Sequence, residues 1–301
     1  MAIAADKISV ITTIRPIYSI LKNVSGDVVN LDYLSTSNAS AHGYNIKPSD
    51  IAKFQSASLI VIIDRKFDVE IWNILQKLKL ESKVVELSKT PNLKLYKNRD
   101  IQILSNHEDD GHGHSHEHGH DHSHHHSGQD DVDFHIWLDI DNAKKMAAYF
   151  VAKLVNHSGY SLNKFEANLL MFYEKCDQVN FGIENELKPY KNKGFIIFHD
   201  GYQYFEGKYG LKNLGAIYYN SGDSIGLKTI IKVEELIESA HATCVLTEPY
   251  FNKQFISKLK EIEHIKVIQI DGESAQDLKL DQNTYFAMME GIAKNIALCL
   301  E

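Results

Sequence analysis

The chain has 301 residues, 44% hydrophobic, 10% aromatic and 24% charged, enough apolar material to close a core and to exclude a wholly disordered polypeptide. Lys and Arg number 32 against 40 Asp and Glu, a net charge of −8 with histidine neutral; no basic stripe follows from this balance, and no nucleic acid is expected as a partner. No run approaches about 18 consecutive apolar residues, so no membrane-spanning helix is expected.

At the start, Ala2-Ile3-Ala4-Ala5 has the small-residue character of a signal cleavage box but lacks the charged and apolar regions of a complete signal peptide. It reads as the remnant of an export signal. With no cysteine nearby to carry a lipid, an untethered protein is expected. Runs rich in β-branched residues follow at Ile8–Thr13, Val28–Leu34, Ser58–Ile63 and Lys83–Leu87. Ser49-Asp50 reads as the N-cap of one intervening helix, and Asp68-Val69-Glu70 as the start of another. Near-continuous apolar strands joined by helices signal a parallel sheet buried on both faces.

Between Asn106 and Asp131 the chain contains only His, Gly, Ser, Asp, Glu, Gln and Asn, and ten of the 16 histidines fall between His107 and His126. Such a segment adds nothing to a core and is expected to be a mobile loop. From Ser161 to Lys188 there is no proline and one glycine, and the apolar residues follow three- and four-residue spacing. A helix of about 28 residues would extend about 42 Å, too long for the crossover of one domain. Further strands are predicted at Gly194–Phe198, Ala216–Tyr219, Cys244–Thr247 and Lys266–Ile270. The expected fold is α/β: two lobes, each with a central mainly parallel sheet flanked by helices, joined by one long rigid backbone helix. The expected boundaries are 1–158 for the N-terminal lobe, with 106–131 as its histidine-rich loop, 159–189 for the linking helix and 190–301 for the C-terminal lobe.

Cys176, Cys244 and Cys299 form no C-x-x-C pair, which argues against a structural zinc or redox motif. A bridge between Cys244 and Cys299 would close a loop of roughly 55 residues, worth about 4 kcal/mol in the chain-entropy account. It would fit an oxidising compartment and leave Cys176 as a buried thiol. Spacing alone leaves the pairing open.

Histidine carries the chemistry. His112, His114, His116, His118, His120, His122, His124, His125 and His126 alternate with small and acidic residues, a spacing that offers interchangeable two- or three-ligand sites for borderline divalent metals. Ordering a loop costs entropy, so these sites should be weaker than a preformed one. Of the remaining histidines, His199 follows the strand Gly194–Phe198 directly, His42 lies beyond the second strand, and His135 precedes a helix starting near Asn142. In open parallel sheets ligands bind outside the carboxyl ends of the strands, where His42 and His199 belong. Asp271 and Glu248 follow strands too, and either could complete a three-histidine, one-oxygen set. His157, His241 and His264 read as helix-surface residues.

The pattern His42-Gly43-Tyr44-Asn45-Ile46-Lys47-Pro48-Ser49-Asp50 resembles the H-x-Y/F-x-x-x-P-S-D element of metal-binding proteins that serve ABC importers. Asp133-Phe134-His135-Ile136-Trp137-Leu138-Asp139 is similar to that family's D-P-H-x-W-L-D-P element, and Phe198-His199-Asp200-Gly201-Tyr202-Gln203-Tyr204-Phe205 to its F-H-D-A-Y-x-Y-F element. Thr247-Glu248-Pro249, the terminal Cys299 and the histidine-rich insertion resemble features of the ZnuA-type zinc branch. The resemblance implies a periplasmic solute-binding protein with metal ligands at His42, His135 and His199, a fourth place for Asp271 or water, and a Cys244–Cys299 disulfide. It implies a membrane permease of an ABC importer as partner, and a monomer. Three departures stand out. Ala41 removes an acidic neighbour of His42, Phe134 and Ile140 replace prolines and should loosen the turn around His135, and Asp271 is followed by Gly-Glu-Ser.

Three imidazoles and one oxygen suit Zn2+, with Mn2+, Cu2+ and Ni2+ as competitors. Imidazole must be neutral to ligate, so affinity should fall as pH drops through about 6.5. The leading expectation is a non-enzymatic carrier that captures Zn2+ between lobes and hands it to the permease. The alternative is a zinc-dependent hydrolase using the same three-histidine site with a carboxylate as general base. No H-E-x-x-H signature supports the alternative. Storage by the loop alone would leave the three dispersed histidines unexplained.

Overall fold

The structure is a computed structural model that describes residues 7–34, 46–99, 132–217, 227–249, 251, 253–273 and 280–301. His42 and Ala41, the histidines from His112 to His126, and the Ala2–Ala5 segment lie outside the described residues.

Two four-stranded sheets form, all of whose strand pairs are parallel, and they repeat one connectivity. The first comprises β1 (Ile8–Thr12), β2 (Val29–Tyr33), β3 (Leu59–Ile62) and β4 (Val84–Glu86), in the order β2-β1-β3-β4. The second comprises β5 (Gly194–Ile197), β6 (Lys212–Ala216), β7 (Cys244–Thr247) and β8 (Lys266–Gln269), in the order β6-β5-β7-β8. β3 and β7 are buried along their whole length, as a sheet covered by helices on both faces requires. Each such aliphatic side chain contributes about 1.5–3 kcal/mol on burial. Seven of the eight strands fall where the apolar runs predict. The exception is β6, predicted at Ala216–Tyr219 but formed by the preceding residues; Ile217 continues it by donating its N–H to Ile197 O at 2.7 Å.

Helices α1 (Arg15–Ser25), α2 (Pro48–Ser56) and α3 (Val69–Lys77) serve the first sheet. α2 starts two residues earlier than a Ser49 cap predicts, with Lys47 at the N-cap. Proline takes the first helical position, where its missing N–H costs nothing, and the Asp50 carboxylate accepts from Lys47 N–H at 2.8 Å. α4 (Ile140–Ser158) then leads through Gly159, at φ 71°, into α5 (Asn163–Leu187). α5 spans about 37 Å and buries Phe165, Phe172, Cys176, Val179, Ile183 and Leu187 as one stripe.

The second half adds α6 (Gln203–Tyr209), α7 (Leu227–Ser239), α8 (Lys253–Leu259) and α9 (Thr284–Leu300). α5 is the covalent link between the two sheets, but it is not the sole mechanical one. α9 packs on α5 and on β7 and β8, and also reaches α1 beside the first sheet. Tyr285 N–H donates to Ser19 Oγ at 2.9 Å, and Ser19 Oγ donates to Gln282 O at 3.0 Å. The largest apolar cluster therefore runs without a break from Val10 in β1 to Leu246 in β7.

Cys244 and Cys299 are bridged, with Cα atoms 5.3 Å apart and 55 positions between them in sequence, while Cys176 is a buried free thiol. The bridge ties the last turn of α9 to a central strand. Reducing it, or making the Cys244→Ala/Cys299→Ala pair, is expected to lower stability by about 4 kcal/mol. Chemical denaturation with and without reductant reads the loss. A midpoint unmoved by reductant would show that the packing of α9 holds the end without help.

Candidate metal centre

Each sheet changes crossover direction between its two central strands, and in the second sheet these are β5 and β7. His199 follows β5 after Phe198, and Glu248 follows β7. The fold thus sets both at the crevice where α/β sheets bind ligands. His135 arrives from the other half of the chain, just ahead of a 3-10 turn at Ile136–Leu138. Its ring and that of His199 lie edge to face, centroids 4.9 Å apart. Phe67 and Trp137 close around His135 at 5.7 and 5.3 Å between centroids. A Cβ at Gly201 would fall 2.7 Å from His199 Cε1 and 3.0 Å from His135 Nε2, so the rings close over a residue without a side chain.

Both imidazoles are oriented by carboxylates. His135 Nδ1 is 2.7 Å from Asp133 Oδ1, which also accepts the backbone N–H of His135 at 2.9 Å. His199 Nδ1 is 3.3 Å from Glu248 Oε2. In the neutral tautomer this arrangement keeps the proton on Nδ1 and the lone pair on Nε2, the usual preparation of a metal-ligating histidine. The turn around His135 is not loosened by the absent prolines. Asp133 pins its start, and Asp139 caps α4 by accepting from Asp141 N–H at 2.8 Å and Asn142 N–H at 3.3 Å.

A buried hydrogen-bond chain backs the pair. Tyr202 Oη donates to Glu248 Oε1 at 2.8 Å and accepts from Gly272 N–H at 2.8 Å. Gly272 O accepts from Trp137 Nε1 at 2.8 Å, and Trp137 O accepts from Tyr285 Oη at 2.8 Å. The segment after β8 is thereby stitched to both halves of the site. Asp271 precedes Gly272 in this segment, its Oδ1 accepting from Glu273 N–H at 3.0 Å.

Burial disfavours an imidazolium at His199, but the Glu248 carboxylate, joined by the charges of Glu273 and Asp133, outweighs it and pushes the pKa up to about 9. At pH 7 the metal-free site therefore holds a proton that an entering cation must displace. Affinity for a divalent ion is expected to keep rising with pH towards about 9, beyond histidine's ordinary value. About one proton should leave per ion bound at neutral pH. Calorimetry in buffers of different ionisation enthalpy counts that proton, and proton-neutral uptake would contradict the picture.

The structure thus brings His135 and His199 together; Asp271 adjoins Gly272, which Tyr202 links to Glu248, and His42 lies outside the described residues. Among the described residues no three His, Cys, Asp or Glu side chains are gathered in metal-holding geometry. Sequence reasoning missed the orienting role of Asp133 and Glu248 and the charge of Glu273, which acts on His199. It also missed Arg99. This residue donates from Nε to Asp200 Oδ1 and Oδ2 at 3.0 and 3.1 Å and from Nη1 to the buried Glu206 Oε2 at 2.5 Å. It ties the chain before the histidine-rich segment to the residue after His199. Lys97 and Val132 pair across the base of that segment, three residues before His135.

A family model described as ZnuA, zinc-uptake complex component A, periplasmic, matches residues 10–299. The high-affinity zinc uptake system protein ZnuA of Haemophilus ducreyi is 34% identical over 291 residues, covering 97% of this chain and 93% of its own. A crystal structure of ZnuA superposes with a TM-score of 0.74 at 20% identity, covering 98% of this chain and all of its own. The SBP FpvC from Pseudomonas aeruginosa, in complex with Mn2+, superposes at 0.78 with 12% identity and covers 98% of both chains. Those two likenesses bear on the fold, which they share. The match over nearly the whole length, together with the paired histidines at the crevice, places the chain in the ZnuA family of periplasmic zinc-uptake components.

Proposed function

We propose that this protein is an extracytoplasmic zinc-binding protein that captures Zn2+ at the crevice between its two sheets and releases it to the membrane permease of an ABC importer. The observation that carries the reading is the pairing of His135 with His199. These residues come from different halves of the chain, their rings are 4.9 Å apart, and each Nδ1 faces a carboxylate. His42 supplies the third imidazole and the Asp271–Glu273 turn the oxygen, with Asp271 first and water as its substitute. This set suits zinc over manganese, which prefers oxygen-rich shells; Cu2+ and Ni2+ would compete on raw affinity, and supply decides. The histidine-rich segment, whose base is bridged beside His135, gathers further ions weakly. The two lobes correspond to 1–158 and 190–301, with 159–189 between them, and the carrier acts as a monomer.

A hydrolase needs an open ligand position and a general base with access to substrate. Here Glu248 is occupied twice over, by His199 and by Tyr202, and serves to orient rather than to activate water. Zinc titration of the full chain and of a variant lacking Asn106–Asp131 tests the reading. One tight site is expected in both and several weak ones in the full chain alone, with no zinc-dependent turnover of ester or phosphoester substrates. Loss of the tight site with the segment would overturn it.

A further inference from the structure

His241 and His264 do not lie on helix surfaces as the sequence suggests. Both sit in turns that connect a helix to a strand: His241 between α7 and β7, His264 between α8 and β8. Both have left-handed backbone, φ 51° and 65°, a conformation in which histidine is over-represented among side-chain-bearing residues. The pairing of β7 with β8 brings the two turns together. Cys244 stands opposite Lys266, and Lys266 N–H donates to Thr243 O at 2.9 Å. His241 lies three residues before Cys244 and His264 two before Lys266, so the two turns lead into the same end of a pair of adjacent strands.

Both histidines line a single cavity of about 610 Å³, together with Glu234, Glu238 and Glu263. Among the described residues lining it there is no lysine or arginine. The C-terminal end of α7, where His241 N–H donates to Glu238 O at 3.1 Å, adds the negative end of the helix dipole. The His264 side chain is 93% exposed and its Nε2 is 3.9 Å from Glu263 Oε2. The three donors do not stand together in metal-holding geometry here; gathering them requires the exposed His264 ring to turn and His241 Nδ1 to leave Ser239 O, 3.3 Å away.

We propose that His241 and His264, with a carboxylate from Glu238 or Glu263, form a second, weaker site for a borderline divalent cation such as Zn2+. It lies at the amino ends of β7 and β8, the pole opposite the His135–His199 pair. Two imidazoles and one oxygen on exposed turns give a site that fills only after the crevice. It does not depend on the assignment of the crevice site.

The test follows histidine ring signals by NMR in the full chain as chelator-buffered free Zn2+ is raised. His157, exposed in the last turn of α4, serves as the lone imidazole for comparison. His241 and His264 are expected to saturate together, at a midpoint roughly tenfold or more below that of His157, because the second ligand binds at high effective concentration. His264→Asn, chosen because asparagine tolerates the left-handed turn, should move the His241 midpoint up towards that of His157, and His241→Asn should do the same to His264. His135 and His199 report the crevice site separately in the same spectra and should be unaffected. Independent saturation of the two rings at the His157 midpoint, or a His241 midpoint unmoved in His264→Asn, would overturn the proposal.

Discussion

His135→Ala and His199→Ala are each expected to weaken zinc binding at least about 100-fold, or about 2.7 kcal/mol. Loss of a partner that merely orients a ligand typically costs 10–100-fold, and loss of the ligand itself must exceed that. The two variants should differ in proton accounting. His199→Ala removes the imidazolium that Glu248 stabilises, so the uptake that remains should release fewer protons than the parent at pH 7. Asp133→Asn and Glu248→Gln keep both rings and alter the carboxylates that orient them, 2.7 Å and 3.3 Å away, and belong in the 10–100-fold class. Glu248→Gln also removes the charge that holds the His199 proton, which offsets part of its loss at pH 7. Competition against a chelator of known affinity ranks all four. Alanine variants that bind as tightly as the parent would place the ion elsewhere.

Arg99→Met should show the second large effect, on stability. Arg99 holds Asp200 and Glu206 from across the molecule, and the Glu206 carboxylate is only 3% exposed. Burial already raises the pKa of Glu206 against the pull of Arg99, so without the guanidinium its charge is uncompensated apart from Asn213, whose Nδ2 donates at 2.9 Å. Breaking one side of such a pair typically costs about 3–5 kcal/mol. A group whose folded pKa is raised binds protons more readily when folded, so the deficit should shrink as pH falls and the carboxylates protonate. Thermal unfolding across pH reads both the loss and its slope. Adding Asp200→Asn and Glu206→Gln to Arg99→Met should restore most of the stability, since the buried charges go with their partner. A triple variant as unstable as the single one would mean that the aliphatic stem of Arg99, not its charge, does the holding.

How far the sequence announced these features depended on the range over which each is determined. β3 and β7 are buried along their whole length and β1 over its last three residues, so their apolar runs stand out. β6 is an edge strand reading Lys212-Asn213-Leu214-Gly215-Ala216, with little of that signature, and the more strand-like residues after it drew the prediction forward. The His135 and His199 elements could be read because each carries its chemistry in a short local motif. Their convergence, and the roles of Asp133 and Glu248, needed a fold that brings the halves together. Arg99 looks like any polar loop residue, because its partners are 101 and 107 positions away. His241 and His264 were misread because a left-handed turn just past a helix continues the helical spacing without continuing the helix.

The return of α9 to α1, sealed by Ser19 and Tyr285, bears on how loading can be noticed from outside. A molecule riveted at its back as well as along its spine cannot open and shut like a jaw. Cargo must then register as a change of texture around the mouth, in ring orientation, charge and the stiffness of nearby turns, while the silhouette offered to a docking surface stays nearly constant.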